Sequence, residues 1–192
     1  MTVKTDAEGI AAAAREAVKG KGPPPVHLWN PPFCGDLDME IRRDGTWFYE
    51  GTPIGRPALV KLFSSILRKE GARYFLVTPV EKVGIRVEDA PFVATDANIS
   101  GAGAAQRVTF TTHVGDEVAA GPEHPVRVVR DPETGEPSPY VMVRAGLEAL
   151  IDRKTFYRLV DAGEVATVDG TEWFGLRSDG AFFPVIPAAE LR

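Results

Sequence analysis

Alternating hydrophobic and polar positions mark a series of short strands along the chain. Leu37, Met39 and Ile41 alternate with charged residues, which predicts a half-buried strand at 37–42. The dipeptide Asp44-Gly45 follows as a strong hairpin signal before a returning strand at 46–49. Similar patterns predict strands at 74–78, 83–88, 92–95, 107–113, 126–129, 140–143, 165–168, 173–177 and 182–186.

Hydrophobic residues at helical spacing predict three helices. The clearest runs over residues 57–70, with Pro57 in its first turn and Gly71 as its stop. An alanine-rich helix at 6–19 and a helix at 153–162 begin at the capping residues Asp6 and Asp152. The clearest helix carries one apolar stripe, which suits packing against a sheet and consists of Leu59, Leu62, Phe63, Ile66 and Leu67.

The two later helices begin with similar sequences, which suggests an internal repeat. The pattern Ile-x-Arg-x-x-apolar-x-basic-Leu-apolar begins at Ile54 and again at Ile151, and VGIR at 83–86 corresponds to FGLR at 174–177. We therefore predict two copies of a strand–strand–helix–strand–strand unit. The alternative is a chance similarity between two amphipathic helices. Either way, the mixture of elements predicts an α+β fold rather than a doubly wound parallel sheet.

The predicted organisation has three parts. Residues 1–33 form an N-terminal helix and a connector with five prolines, residues 34–114 the first α+β unit, and residues 115–192 the second. Prolines favour extended polyproline II geometry, so we expect a stiff connector pinned to the body by Trp29 or Phe33. Proline-rich segments also serve as ligands for other domains, which keeps a role in protein binding open.

Composition excludes several classes of protein. The 192 residues are 44% hydrophobic and 26% charged, which suffices for a core and argues against disorder. A net charge of −5 disfavours binding to a nucleic acid polymer, and no apolar run is long enough to span a membrane or to form a signal peptide. The single cysteine, Cys34, excludes an intramolecular disulfide. We therefore expect a protein of a reducing compartment, the cytoplasm.

The densest polar group is Cys34-Gly-Asp36-x-Asp38. If the strand begins there, Asp36 and Asp38 share a face and could bind a cation or act as an acid–base pair, with His124 completing a hydrolytic site. The alternative is that Asp36 caps a turn and Asp38 faces water or an arginine. No metal-ligand spacing continues from them, so we expect no metal site. Cys34 is expected to be a small buried apolar group; the alternative is a reactive, oxidation-sensing thiol.

Basic and aromatic residues offer a second kind of site. Arg56 and Arg153 each begin a helix, where the helix dipole disfavours a cation, so each should have a carboxylate partner or help to receive an anion. If the two halves face each other, His124, Arg127, Tyr140 and Arg144 meet the region of Asp36 and Trp47 in a groove. In that groove, Trp47 or Tyr140 could stack on a base and Arg127 or Arg144 could hold phosphate. The alternative is an ordinary polar interface. The predicted ligand-binding set is Asp36, Asp38, Trp47, Arg56, His124, Arg127, Tyr140, Arg144 and Arg153.

Several segments together resemble the bacterial domain-of-unknown-function family 1285. The resemblance spans about Trp29 to Pro184 and rests on the segments 34–38, 41–47, 51–56, 87–93, 123–125 and 139–151. It implies a duplicated α+β architecture whose second half is similar to pleckstrin-homology folds. It also implies a nucleotide-like ligand in the cleft between the halves and a role in signal transduction. It implies no catalytic residues.

We therefore expect a ligand-binding or regulatory protein whose partner is a small, nucleotide-like molecule; no cofactor is indicated. One alternative is a hydrolytic enzyme that uses Asp36, Asp38 and His124, and another is a protein-interaction module built from the N-terminal helix and the connector. The sequence favours binding over catalysis, because it contains neither a Gly-x-Ser-x-Gly elbow nor a paired-histidine helix motif.

Overall fold

The computed structural model describes residues 5–191. Residues 1–4, at the start of the predicted N-terminal part, and residue 192, at the end of the predicted second unit, lie outside the described residues. The chain divides into two compact units between Pro91 and Phe92. Gly115, where the sequence placed the start of the second half, lies inside unit 2, in the turn between its second and third strands. Both units mix helices with antiparallel and parallel strands, and the predicted α+β class is confirmed.

Unit 1 combines two helices with a six-stranded sheet, sheet A. Helix α1 spans Ala7–Ala17 and α2 spans Pro57–Ser65. The spatial order of the strands is β3-β2-β1-β6-β5-β4, with β1 and β6 parallel at the centre and all other pairs antiparallel. The strands are β1 (Phe33–Ile41), β2 (Trp47–Tyr49), β3 (Thr52–Pro53), β4 (Leu67–Glu70), β5 (Arg73–Val77) and β6 (Lys82–Val87).

Unit 2 has a six-stranded sheet B, one helix and a three-stranded sheet C. The helix, α3, spans Arg153–Val160 and separates the two sheets along the chain. Sheet B has the order β10-β11-β12-β7-β8-β9 and sheet C the order β13-β14-β15. The strands are β7 (Phe92–Ser100), β8 (Arg107–Thr112), β9 (Glu117–Ala119), β10 (Val126–Arg130), β11 (Pro137–Arg144), β12 (Leu147–Ile151), β13 (Glu164–Val168), β14 (Thr171–Ser178) and β15 (Ala181–Pro187).

Sheets A and B share one strand order. In each, two runs of three antiparallel strands meet at a parallel pair formed by the first and sixth strands. The helices occupy different positions, because α2 joins the third strand of sheet A to the fourth, whereas α3 follows the sixth strand of sheet B. The predicted alignment of Ile54 with Ile151 therefore matched two amphipathic helices at non-equivalent places. The similarity of the second half to pleckstrin-homology folds stays a prediction.

The predicted helix at 57–70 is wrong in its second half. Helix α2 ends at Ser65, and β4 begins at Leu67 and pairs with β5 across the two-residue turn at Gly71. The hydroxyl of Ser65 donates to the carbonyl of Leu62, a bond that competes with the helical ladder. Pairing with a neighbouring strand overrides the helical spacing of Leu67, which is buried in either conformation.

Each unit buries its own hydrophobic core. In unit 1, α1 packs its alanine face within the unit and α2 contributes Phe63, whose ring stacks on Trp47 with centroids 6.1 Å apart. The core of unit 2 lies between sheet B, α3 and sheet C, and its fully buried members include Phe92, Phe110 and Leu147.

Candidate functional site

The predicted ligand-binding residues fall into two groups. Asp36, Asp38, Trp47 and Arg56 belong to unit 1, and His124, Arg127, Tyr140, Arg144 and Arg153 belong to unit 2. Among residues 5–191, no three or more metal-ligating side chains come together. The candidate chemistry therefore rests on charged and aromatic groups held by the sheets.

Asp36 and Asp38 lie on the exposed face of sheet A, and each is paired with its own arginine. Asp36 Oδ1 accepts from Arg73 Nη2 at 2.7 Å, and Asp38 Oδ1 accepts from Arg86 Nη2 at 2.8 Å. The hydrogen bond from Arg86 to Asp38 raises the pKa of that guanidinium above its ordinary value. Both carboxylates are therefore balanced by a cation, which matches the alternative that Asp38 faces an arginine and gives no support to a shared metal ion.

Glycine 84 makes room for the first of these pairs. It lies opposite Asp36 in the parallel β1–β6 ladder. A Cβ atom at this position would lie 2.2 Å from Asp36 Oδ1 and 2.9 Å from Arg73 Nη2. The ion pair lies flat across the sheet because residue 84 has no side chain. The guanidinium of Arg73 also lies 5.0 Å from the ring centroid of Phe75, within cation–π range.

The remaining unit 1 candidates are separated from that face. Trp47 is 1% exposed and belongs to the core, so its ring presents no surface on which a base could stack. Arg56 is the N-cap of α2, and its Nη2 atom lies 3.6 Å from Glu8 Oε1 on the surface. Arg56 thus has the carboxylate partner that its position at a helix start required.

Arg127, Tyr140 and Glu148 form one cluster across three adjacent strands of sheet B. Arg127 Nε and Nη2 donate to the two carboxylate oxygens of Glu148 at 2.8 and 3.0 Å. The guanidinium lies over the ring of Tyr140 on the intervening strand, 4.5 Å from its centroid. A two-point bond to a carboxylate fixes the plane of a guanidinium. The cluster, named here the Arg127 face, is therefore a preorganised planar surface, and the Arg127 side chain is 54% exposed.

His124 lies just before β10 and contacts the neighbouring strand. Its Nδ1 atom is 3.0 Å from the carbonyl oxygen of Met142. A carbonyl only accepts, so Nδ1 carries the proton and Nε2 is left to accept, or to donate when the ring is protonated. The ring is half-buried, which positions it without excluding it from water.

Arg144 is on the opposite face of sheet B from Arg127. A register shift between Met142 and Arg144 places Arg144 opposite Leu147, on the side that carries Phe92. The guanidinium lies 5.0 Å from the Phe92 ring centroid and donates to Asp116 Oδ2 at 2.9 Å. One sheet face therefore cannot present Arg127 and Arg144 together.

Arg153 is the first residue of α3 and forms a surface ion pair with Glu136. Both side chains are largely exposed. The carboxylate partner expected at a helix start is present, and the pair lies on the surface. A surface pair of this kind contributes little to stability, so the cation remains able to exchange partners.

The single cysteine differs from expectation. Cys34 is exposed rather than buried, and its Sγ atom contacts the carbonyl oxygen of Pro32 at 3.3 Å. It is the second residue of β1, and the buried positions of this strand begin only at Leu37. The connector that precedes it is held by Arg68, whose Nη1 donates to the carbonyls of Val26 and Trp29 at 3.0 and 2.7 Å.

The N-terminal helix uses its apolar face inside unit 1. Ala7, Ile10, Ala11 and Ala14 are buried there, so that face is already covered. In the connector, Leu28 is 71% exposed.

None of the helices among residues 5–191 has the length and apolar character needed to cross a bilayer.

Glu148, Arg73 and Arg86 were not predicted from the sequence, although each forms an ion pair with a predicted residue. Their signal is cross-strand complementarity, which requires the strand register. Asp36 of β1 reaches Arg73 of β5 across the intervening strand β6, as Arg127 of β10 reaches Glu148 of β12 across β11. Alternation along one strand contains no information about such partners.

Comparisons with known proteins identify the same two-part division. The N-terminal domain model of a domain of unknown function, DUF1285, matches residues 24–90, and the C-terminal domain model of a protein of unknown function, DUF1285, matches residues 91–185. A crystal structure of a DUF1285 family protein from Silicibacter pomeroyi DSS-3 is 64% identical, with 97% of this chain and 98% of that chain covered and a TM-score of 0.86. No curated protein matches.

A second crystal structure, of a DUF1285 family protein from Shewanella baltica OS155, is more distant. It is 29% identical, with 66% of this chain and 92% of that chain covered and a TM-score of 0.52. The domain models meet between residues 90 and 91, next to the division of the compact units after Pro91.

Proposed function

The chain belongs to the DUF1285 family, and on that premise we propose that it is a regulatory protein whose second unit binds a small, planar, nucleotide-like ligand. The observation that carries the proposal is the guanidinium of Arg127, which Glu148 holds over the ring of Tyr140. An exposed guanidinium plane is a surface on which a heteroaromatic base stacks. Regulation through such a ligand fits the signalling role that the family resemblance implies.

His124, three residues before Arg127 in the chain, is the candidate for polar recognition of the same ligand. Because its Nδ1 bonds to Met142, its Nε2 can accept from an exocyclic amino group of a base or, when protonated, donate to an anionic group. The pairing of Arg127 with Glu148 leaves the cluster with no net charge, so stacking rather than charge attraction supplies most of the affinity. We therefore expect the ring of the ligand to matter more than the number of its phosphates.

Thermal unfolding with a panel of mono- and dinucleotides at millimolar concentration tests the proposal. A ligand at 100 times its dissociation constant stabilises the folded state by about 2.7 kcal/mol, which a melting curve resolves. Arg127→Ala should remove the shift. Arg130→Ala is the matched control, because Arg130 lies on the same strand and forms its own exposed ion pair with Glu190. No shift with any nucleotide, or equal shifts in both variants, would refute the proposal.

A further inference from the structure

The hairpin of β13 and β14 leaves one edge of sheet C without a neighbouring strand. Among residues 5–191, β13 pairs with β14 alone, in unbroken register along its whole length. Val168 and Thr171 flank the two-residue loop 169–170, in which both residues have positive φ. The pair that closes such a hairpin exchanges both of its hydrogen bonds. Alternation then makes Ala166 and Glu164 the next residues of β13 that bond to β14.

The backbone groups of Val165 and Thr167 therefore point outward from the edge of the sheet. Both residues are exposed, and Val165 keeps 49% of its surface. In the described part of the chain, no group outside sheet C forms a hydrogen bond with the backbone of either residue. This edge thus offers two donors and two acceptors at the spacing of a β-ladder, which an extended chain can satisfy as an added strand.

β13 lacks the features that block several other edges of the sheets. Prolines lie in the edge strands β3 and β15, at Pro53, Pro184 and Pro187. The connector lies against β4, where Arg68 donates to two of its carbonyl groups. Natural edge strands are commonly protected by proline, lysine or a bulge. β13 has the sequence EVATV and a regular register, so it carries none of the three.

Charge decides which kind of chain fits this edge. Residues 161–172 contain no basic residue and four acidic ones, Asp161, Glu164, Asp169 and Glu172. Of these four, Glu164 alone forms an ion pair with another described residue, Arg177. A second copy of the chain would bring the same carboxylates to the edge, and like charges on paired strands repel. A strand that carries arginine or lysine is attracted instead.

We propose that the free edge of β13 binds an extended, basic segment of a partner protein as an added antiparallel strand. A residue of the segment opposite Thr167 lies on the face that carries Glu172, which pairs with Thr167 in β14. An arginine there reaches Glu172 across β13, as Arg127 reaches Glu148 across β11. Two residues later, an apolar side chain of the segment packs on the exposed Val165. The segment therefore has the pattern basic-x-apolar.

The edge of β13 is separate from the Arg127 face. That face is formed by β10, β11 and β12 of sheet B, whereas β13 and β14 belong to sheet C. The binding of a peptide strand and the binding of a nucleotide are therefore tested independently, and the failure of one leaves the other standing.

The synthetic peptide acetyl-Lys-Thr-Arg-Thr-Val-Thr-amide, added to the full chain, tests the proposal. In the free protein, amide hydrogen exchange followed by NMR should be fast at Val165 and Thr167 and slow at Ala166 and Val168. The peptide should slow exchange at Val165 and Thr167. Binding without this protection, or no binding at millimolar peptide, would overturn the proposal.

Two altered peptides separate strand addition from charge attraction. N-methylation of the peptide's valine removes a hydrogen bond to the edge at unchanged charge, and should weaken binding about tenfold. Replacing its arginine by glutamine keeps the backbone bonds and should weaken binding about threefold, as expected for an exposed ion pair. Equal affinities of the methylated and the parent peptide would refute strand addition.

Variants of the protein test the placement. Thr167→Pro removes one outward N–H and keeps the bonds from β13 to β14, so it should weaken peptide binding about tenfold. Glu172→Gln should weaken it about threefold. The matched control is Glu133→Gln, at an exposed residue between β10 and β11, which should leave the affinity unchanged.

Circular dichroism verifies that each variant is folded, and the two glutamine variants decide the question if the proline variant is not. Equal affinity of the peptide for Glu172→Gln and Glu133→Gln would refute the site. A stable dimer of the free chain in which the amides of Val165 and Thr167 are already protected would assign the edge to a second copy, and would refute the proposal too.

Discussion

Ser178 joins sheet C to sheet B through two buried hydrogen bonds. Its hydroxyl donates to the carbonyl oxygen of Ala120 at 2.7 Å and accepts from the backbone N–H of Val108 at 2.9 Å. Ser178 is fully buried. Replacing Ser178 by alanine removes both bonds and leaves a donor and an acceptor of the backbone without this partner in a site that water does not reach.

The cost follows from those two groups. A buried donor or acceptor that loses its partner costs about 1–3 kcal/mol, so losing two should lower the free energy of unfolding of unit 2 in Ser178→Ala by about 2–6 kcal/mol. Domains are stable by only about 5–15 kcal/mol, so the loss is a large fraction of the total. Alanine fits the same space with one atom fewer, so the effect is that of the hydrogen bonds rather than of a changed packing.

Guanidinium unfolding, followed by far-UV circular dichroism, measures this change as a lower midpoint at an unchanged slope. Ser65→Ala is the matched control, because the Ser65 hydroxyl bonds only to the Leu62 carbonyl within its own helix, and it should change stability by less than about 0.5 kcal/mol. If the two variants unfold at the same midpoint, the link between the sheets through Ser178 does not exist.

Two further predictions concern the backbone and the pH dependence of stability. Gly175→Ala should lower the free energy of unfolding by about 1–3 kcal/mol, because its Cβ would clash with the Phe183 carbonyl oxygen. The control is Gly55→Ala, whose Cβ would contact no other atom and which should be neutral or stabilising by up to about 1 kcal/mol. Equal melting temperatures of the two variants would contradict the packing of sheet C. Hydrogen bonding from Lys82, and then from Arg68, lowers the pKa of Glu70 in the folded state. The ionised Glu70 carboxylate therefore stabilises the folded state above the pKa it has in the unfolded chain, and this stabilisation is lost as the pH falls through its pKa in the folded state. Glu70→Gln should therefore reduce stability slightly at neutral pH and flatten its decline in acid, as urea midpoints across that range would record; an unchanged acid decline would contradict this.

Local sequence chemistry predicted helix starts and tight turns correctly. Asp6 and Asp152 cap α1 and α3, and their carboxylates accept from the backbone N–H groups of Gly9 and Thr155, each at 2.8 Å. At the predicted Asp44-Gly45 turn, Gly45 has positive φ and its N–H donates to the carbonyl of Arg42 at 2.9 Å, so the chain reverses there between β1 and β2. These features depend on a few consecutive residues, so a single sequence contains all the information that determines them.

Features that depend on partners distant in sequence were not predictable in this way. The residues of β4 carry helical spacing and become a strand because β5 pairs with them. Trp47 has the residue type of a stacking platform but is enclosed by Phe63 and the core of unit 1. The shared strand order of sheets A and B was also hidden, because the most similar sequence segments are helix starts at non-equivalent places.

The candidate site illustrates how much one residue of register can decide. Tyr140 and Arg144 are both even-numbered positions of β11, and regular alternation would place them on one face with Arg127. The register shift after Met142 places Arg144 opposite Leu147 instead, on the other face, where it bonds to Asp116. A ligand that stacks on Arg127 is therefore beyond the reach of Arg144 from that face. A second cation that binds a phosphate of this ligand must therefore come from outside β11. We accordingly expect the number of phosphates on the ligand to affect its affinity less than the identity of its ring does.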